Sequence, residues 1–112
     1  MKVDFQDKKL AKDCADDRSR MRAFGEARAK KVKLRLSALV AASNLDALRN
    51  APGRFHELSE NRAGHLAADL DGPYRLIFEP VLSATEKVAH ADGYVWSKIT
   101  HISIIAIEDY HA

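Results

Sequence analysis

Cysteine is almost missing from this sequence: Cys14 stands alone among 112 residues. A single thiol closes no internal disulfide and builds no cysteine-based zinc cluster, which fits a reducing compartment. Long apolar runs are missing as well. The longest, Ala38 to Ala42, has five residues, against the ~20 that span a bilayer. The opening "MKVDFQDKK" lacks the apolar stretch of a signal peptide, so a cytoplasmic protein with no membrane partner is expected. Neither HExxH spacing nor an EF-hand loop occurs, so no metal and no other cofactor is expected. Internal repeats and low-complexity segments are absent, and no helix-turn-helix pattern marks the chain as a DNA-binding subunit.

What is present is an ordinary globular balance, 46% apolar and 30% charged, in a chain long enough for one core and one domain, residues 1–112. The formal net charge of +2 hides an asymmetry. Residues 1–54 hold 14 Lys and Arg against 7 Asp and Glu, whereas residues 55–112 hold 4 against 9. A basic half beside an acidic half points to a surface that meets a polyanion.

Periodicity divides the chain in the same place. "KVDF" alternates as a short strand, and Asp7 stands where an N-cap belongs, before the helical "KKLAKDCADD". "DDRSRMRAFGEARAKK" is rich in helix formers, with Gly25 as a weak point inside it. From Ala27 to Ser43, Val32, Leu36, Leu39 and Val40 recur at helical spacing and predict an amphipathic helix. Arg28, Lys31 and Arg35 fall together on another side of that helix, with Lys30 and Lys33 nearby. Ser43 or Asn44 is a candidate cap for one further turn, ended by Pro52 and Gly53. Thereafter the period is two. "RFHELS", "HLAADLD" and "YRLIFEP" read as strands, the last two joined through a turn at Asp71-Gly72. Leu66, Ala68 and Leu70 share one face, as do Tyr74, Leu76 and Phe78. Residues 81–97 predict a helical turn or loop broken at Asp92-Gly93. "ITHISIIAIEDY" is a β-branched final strand. The expected fold class is α+β, with the N-terminal strand and helices packed on one face of a small antiparallel sheet.

The other face is free for chemistry. Arg75 alternates against the core positions of its strand. His56 sits on the first strand of the sheet, a loop from Ser59 carries Asn61, Arg62 and His65, and the last strand runs into Tyr110 and His111. Cleaving RNA through its own 2′-hydroxyl needs a base, a cation for the charge growing on phosphorus, and an acid for the departing 5′-oxygen. Arg suits the second task, and His titrates near neutrality and suits the first or third. Tyr stacks on a base or exchanges a proton. Each residue also has a plainer reading: Arg75 pairs with Asp69 or Asp71 across the hairpin, the histidines are satisfied side chains, and the helix cations are a solvated face.

The order and wording of the segments carry more than this. "KLAKDCAD", "ARAKKVKLRLSALVAASNLDAL", "FHELSENRAGHLAADLDGPYRLIFEP" and the closing "IEDYH" together resemble the HigB-like toxins, the plasmid-maintenance killer branch of the RelE superfamily. The resemblance implies a RelE-like fold and a ribosome-dependent messenger RNA endonuclease that cuts by 2′-hydroxyl attack. It implies His56, Arg75, Tyr110 and His111 as catalytic residues, Arg75 stabilising the phosphate and His111 the candidate general acid. Arg62 and Asn61 in the loop, and Arg28, Lys31 and Arg35 on the helix, would grip messenger and ribosomal RNA. The implied partners are the 70S ribosome, mRNA and a helix-turn-helix, HigA-like antitoxin through which the pair meets operator DNA. Where many relatives carry a lysine shortly after the strand histidine, this chain has Ser59. Without catalysis, the same fold would serve as an RNA-, ribosome- or antitoxin-binding module.

Overall fold

In chain order the elements are β1 (Lys2–Phe5), α1 (Lys8–Asp13), α2 (Asp17–Phe24), α3 (Glu26–Ala41), β2 (His56–Glu57), β3 (Leu66–Asp69), β4 (Tyr74–Pro80), α4 (Ala84–Ala89) and β5 (His101–Asp109). Short 3₁₀ turns occupy Leu45–Leu48, Glu60–Arg62 and Trp96–Lys98. They are seen in a computed structural model that describes residues 1–89 and 93–110. The sequence-based break at Asp92 and the candidate acid His111 lie outside the described residues.

The helices start where side chains can cap them. Asp7 accepts the Leu10 N–H at 2.7 Å and Asp16 accepts the Ser19 N–H at 2.7 Å. Asn44 does the same for the turn after α3, accepting the Ala47 N–H at 3.2 Å. Each cap satisfies a donor the helix itself cannot. Asp7→Ala is therefore expected to cost about 1 kcal/mol, lowering Tm by roughly 4–8 °C; a thermal melt that matches the wild type would show that this cap holds nothing. Gly25 departs from expectation. It does not sit inside a helix but divides two, with φ +80, ending α2 by donating its N–H to Met21 O and standing as N-cap of α3. Only glycine takes that conformation without steric cost.

The five strands lie in the order β1-β5-β4-β3-β2. Neighbours are antiparallel except β1, which joins β5 in parallel at the sheet's edge. The core lies between one face of this sheet and the helices. Val32 and Leu39 of α3, with Leu45, meet Leu66, Leu76, Phe78, Ile102 and Ile104, all at 0% exposure. The α3 stripe is partly corrected: Val40 is 60% exposed, whereas Ala29 and Arg35 are buried. Cys14 is buried at the margin of the core, and burial pushes its thiol pKa up to about 11, so it stays protonated and unreactive.

The second face is less open than alternation alone predicts. Ala67 and Ile77 are also at 0% exposure, packed with Leu58 under Ile105, Ala106 and Tyr110. Among the described residues no helix side chain belongs to this cluster. Its existence depends on β5. Ile77 pairs with Ala106 and Phe78 with Ile104, leaving Ile105 as an unpaired β-bulge. An extra residue reverses which side chains face which way. Before the bulge Ile102 and Ile104 face the helices; beyond it Ile107 does, and Glu108 and Tyr110 emerge on the opposite face.

Candidate active site

Strand pairing decides which polar groups meet. His56 pairs with Ala67, which pairs with Ile77, which pairs with Ala106. One row further, Asp69 pairs with Arg75 and Arg75 with Glu108. Directly opposed residues share a face, so His56, Asp69, Arg75, Glu108 and Tyr110 all lie on the face opposite α3. The 3₁₀ turn between β2 and β3 brings Arg62 over the same surface. Its guanidinium pairs with Glu108 and stands 5.5 Å from the centre of the Tyr110 ring.

The geometry of each group is specific. Arg75 is 18% exposed and held at three points. Its Nη1 donates to the carbonyls of Gly72 at 2.9 Å and Tyr74 at 2.8 Å, and its Nε lies 2.9 Å from Asp69 Oδ1 in an ion pair. The pairing with Asp69 is thus real, and it does not remove Arg75 from the face; it aims it. His56 Nδ1 lies 2.6 Å from the Arg54 carbonyl. A carbonyl only accepts, so Nδ1 carries the proton and Nε2 of the neutral ring is left as the basic nitrogen. Tyr110 donates its N–H to Pro73 O at 3.0 Å, which fixes the strand end beside the β3–β4 hairpin. Asn61 is exposed on its turn. Beyond this row His65 faces Glu79, at 3.6 Å, on a cleft of about 710 Å³ that Gly64 and Tyr94 also line.

The three helix cations separate. Lys31 is exposed. Arg28 is tied to Asp71 by bonds of 3.1 and 3.2 Å and lies 3.3 Å from the centre of the Tyr74 ring. Arg35 requires correction: it is 8% exposed, its Nε donates to Asp69 O at 2.8 Å, and it belongs to the interior behind the site rather than to a surface that meets RNA. A seven-residue offset from Arg28 keeps the same side of a helix, yet that side rotates from the hairpin turn into the space under Gly53.

Two charged residues that sequence reasoning left without a role, Arg54 and Glu108, join Asp69 to complete the row. Arg54, Asp69 and Glu108 alternate with Arg62 and Arg75, so that each cation of the face touches a carboxylate. Alternation along β3 would have placed Asp69 here. Nothing in the sequence announces the bulge that delivers Glu108. Among the described residues no group of three or more His, Cys, Asp or Glu side chains is placed to hold a metal ion, and no helix is long and apolar enough to cross a membrane.

No protein-family model and no curated protein matches the sequence. Solved structures do match. The chain is similar to the YoeB/ParE toxin from Agrobacterium tumefaciens at TM-score 0.59 and 11% identity, over 99% of this chain and 100% of that one. It is similar to a chain of the YoeB-YefM complex from Staphylococcus aureus at TM-score 0.56 and 14% identity, over 100% of this chain and 98% of that one. The YoeB dimer from the same organism gives TM-score 0.56 and 16% identity with the same coverage. At such identities it is the backbone that is shared: the chain has the α+β fold of the YoeB and ParE toxins.

Proposed function

We propose that this protein, as one domain over residues 1–112, is the toxin of a toxin–antitoxin pair and a ribosome-dependent messenger RNA endonuclease of the HigB-like branch. The observation that carries the reading is the convergence of His56, Arg62, Arg75 and Tyr110, distant in sequence, on one face of the sheet. His56, protonated at Nδ1, takes the 2′-hydroxyl proton at Nε2. Arg75 neutralises the charge growing on the phosphorane. His111 protonates the departing 5′-oxygen, and Tyr110 stacks on a neighbouring base. Arg62 and Asn61 hold the RNA strand, and Lys31 with Arg28 meets ribosomal RNA through sequence-independent, salt-sensitive contacts. No metal is needed for this chemistry.

The similar chain from Staphylococcus aureus was solved with YefM, which supports a protein partner for this one. The finer assignment, from the family resemblance, is a helix-turn-helix antitoxin in the cytoplasm that carries the pair to operator DNA.

Inducing the chain without an antitoxin is expected to arrest growth, and His111→Ala to relieve the arrest. Purified protein is expected to cut message when ribosomes are present and to leave free RNA intact, because so few acid–base groups depend on the ribosome to orient the scissile linkage. Vigorous cleavage of free RNA would refute the ribosome-dependent mechanism. A second reading, a binding module without catalysis, is favoured by Ser59 and by the carboxylate paired to each arginine of the face. Under it the wild type and His111→Ala grow alike.

A further inference from the structure

Arg54 has an uncommon backbone. Its φ is +48, the left-handed region, which a residue other than glycine adopts only where its surroundings impose it. The surroundings here are a knot beneath it. Gly53, at φ +107, is pressed so closely on Arg35 that an added Cβ would lie 2.3 Å from Arg35 Nε. The Gly53 carbonyl accepts the Asp69 N–H at 2.7 Å, and the Asp69 carbonyl accepts Arg35 Nε at 2.8 Å. The turn sends the Arg54 side chain over the same face as Asp69 and Arg75, where it is 60% exposed.

There Arg54 Nε and Nη2 form a fork on the Asp69 carboxylate, at 3.0 and 3.1 Å. The same carboxylate forms an ion pair with Arg75, whose Nε lies 2.9 Å from Asp69 Oδ1. A planar fork of two parallel N–H bonds fits a phosphate as it fits a carboxylate. One anion that takes a fork from one arginine and the Nε edge of another therefore stands where a phosphate would stand. We propose that Arg54 and Arg75 form a two-arginine cradle for an RNA phosphate and that the Asp69 carboxylate fills it until RNA arrives. The proposal rests on the endonuclease reading and adds Arg54 as a contact residue of that site.

The exchange is physically modest. Arg54 is mostly solvated, and exposed ion pairs hold weakly. Arg75 keeps its two bonds to the carbonyls of Gly72 and Tyr74 when Asp69 swings away, so its Nε edge stays aimed at the incoming anion. The backbone of Asp69 stays tied to Gly53 and Arg35 throughout.

The test is binding of a short single-stranded RNA with a 2′-deoxy nucleotide at the cut position, followed by fluorescence anisotropy at low salt without ribosomes. Asp69→Asn keeps the size of the side chain and removes the competing charge. It is expected to tighten binding about two- to fivefold. Arg54→Ala is expected to weaken binding and to flatten the salt dependence of log K by about 0.7, the contribution of one single-strand phosphate contact. Arg54→Lys restores that slope but only part of the affinity, because an ammonium lacks the fork. A purely bracing Asp69 predicts the opposite sign for Asp69→Asn. If the wild type binds RNA and Asp69→Asn binds it no tighter, the cradle is wrong and the endonuclease reading stands. If neither binds RNA while both show a folded circular dichroism spectrum, the cradle is wrong, and cleavage on programmed ribosomes decides the endonuclease reading separately.

Discussion

Gly53→Ala is expected to lower the unfolding free energy by about 3–5 kcal/mol, a large part of the 5–15 kcal/mol typical of a domain this size. Two costs combine. At φ +107 a Cβ is strained whatever the space around it, by about 1–3 kcal/mol. The Cβ would also lie 2.3 Å from Arg35 Nε and 2.7 Å from its Cδ and Cζ. Elsewhere a flexible side chain would step aside. Arg35 is 8% exposed and bonded to Asp69 O, so moving it strands a buried cation and a carbonyl, worth about 1–3 kcal/mol more. Tm should fall by roughly 15–25 °C. Gly72→Ala is the control: φ is +52 with nothing within 4 Å of the added atom, so only the strain remains. Urea and thermal unfolding of both variants decide the matter, and equal losses would disprove the Arg35 contact. In the double variant Gly53→Ala, Arg35→Ala the clash disappears, and the two losses should fail to add.

That knot also marks where sequence reasoning stops. The helices were legible where their caps are local: Asp7 and Asn44 each bond an amide three residues on, as does Asp16, which sequence reasoning places inside a helix. The β3–β4 hairpin was legible because alternation and Asp71-Gly72 are local too. Arg35 was not. Helical spacing places it beside Arg28 and Lys31, and a cation on a predicted surface helix reads as solvated until the chain is folded and Gly53 supplies a space without a side chain. The site was half legible. Alternation alone exposed Arg75 on the face away from the core and made Asp69 its neighbour. Tyr110 reaches that face only because Ile105 is bulged, and a bulge in a β-branched run such as "HISIIAI" has no sequence signature. Without it Glu108 and Tyr110 would turn toward the helices. The parallel pairing of β1 with β5 is likewise a long-range choice, made between residues nearly a chain length apart.

The pairing of every arginine on the face with a carboxylate sharpens what Arg75 must do on the endonuclease reading. A ground-state ion pair with Asp69 gives no catalysis by itself; only contacts that strengthen as charge gathers on phosphorus do. Arg75 meets that condition because its Nη1 is held by two backbone carbonyls, at 2.9 and 2.8 Å, which leaves the Nε edge in place for the reacting anion. Arg75→Ala is therefore expected to reduce ribosome-dependent cleavage about 10²–10³-fold, the loss seen when one preorganised donor to a developing oxyanion is removed. Most of that loss should fall on kcat, since Arg54 and Arg62 continue to hold RNA in the ground state. Arg75→Lys should recover little, because a flexible ammonium supplies charge without two aimed donors. The fold should survive either change: Asp69 keeps its fork from Arg54, and no core side chain is touched. Cleavage of a defined message on programmed ribosomes, with thermal melts of each variant alongside, separates the outcomes. A folded Arg75→Ala that cuts within about threefold of the wild type would remove Arg75 from the mechanism, and with it the reason to read this face as a nuclease centre.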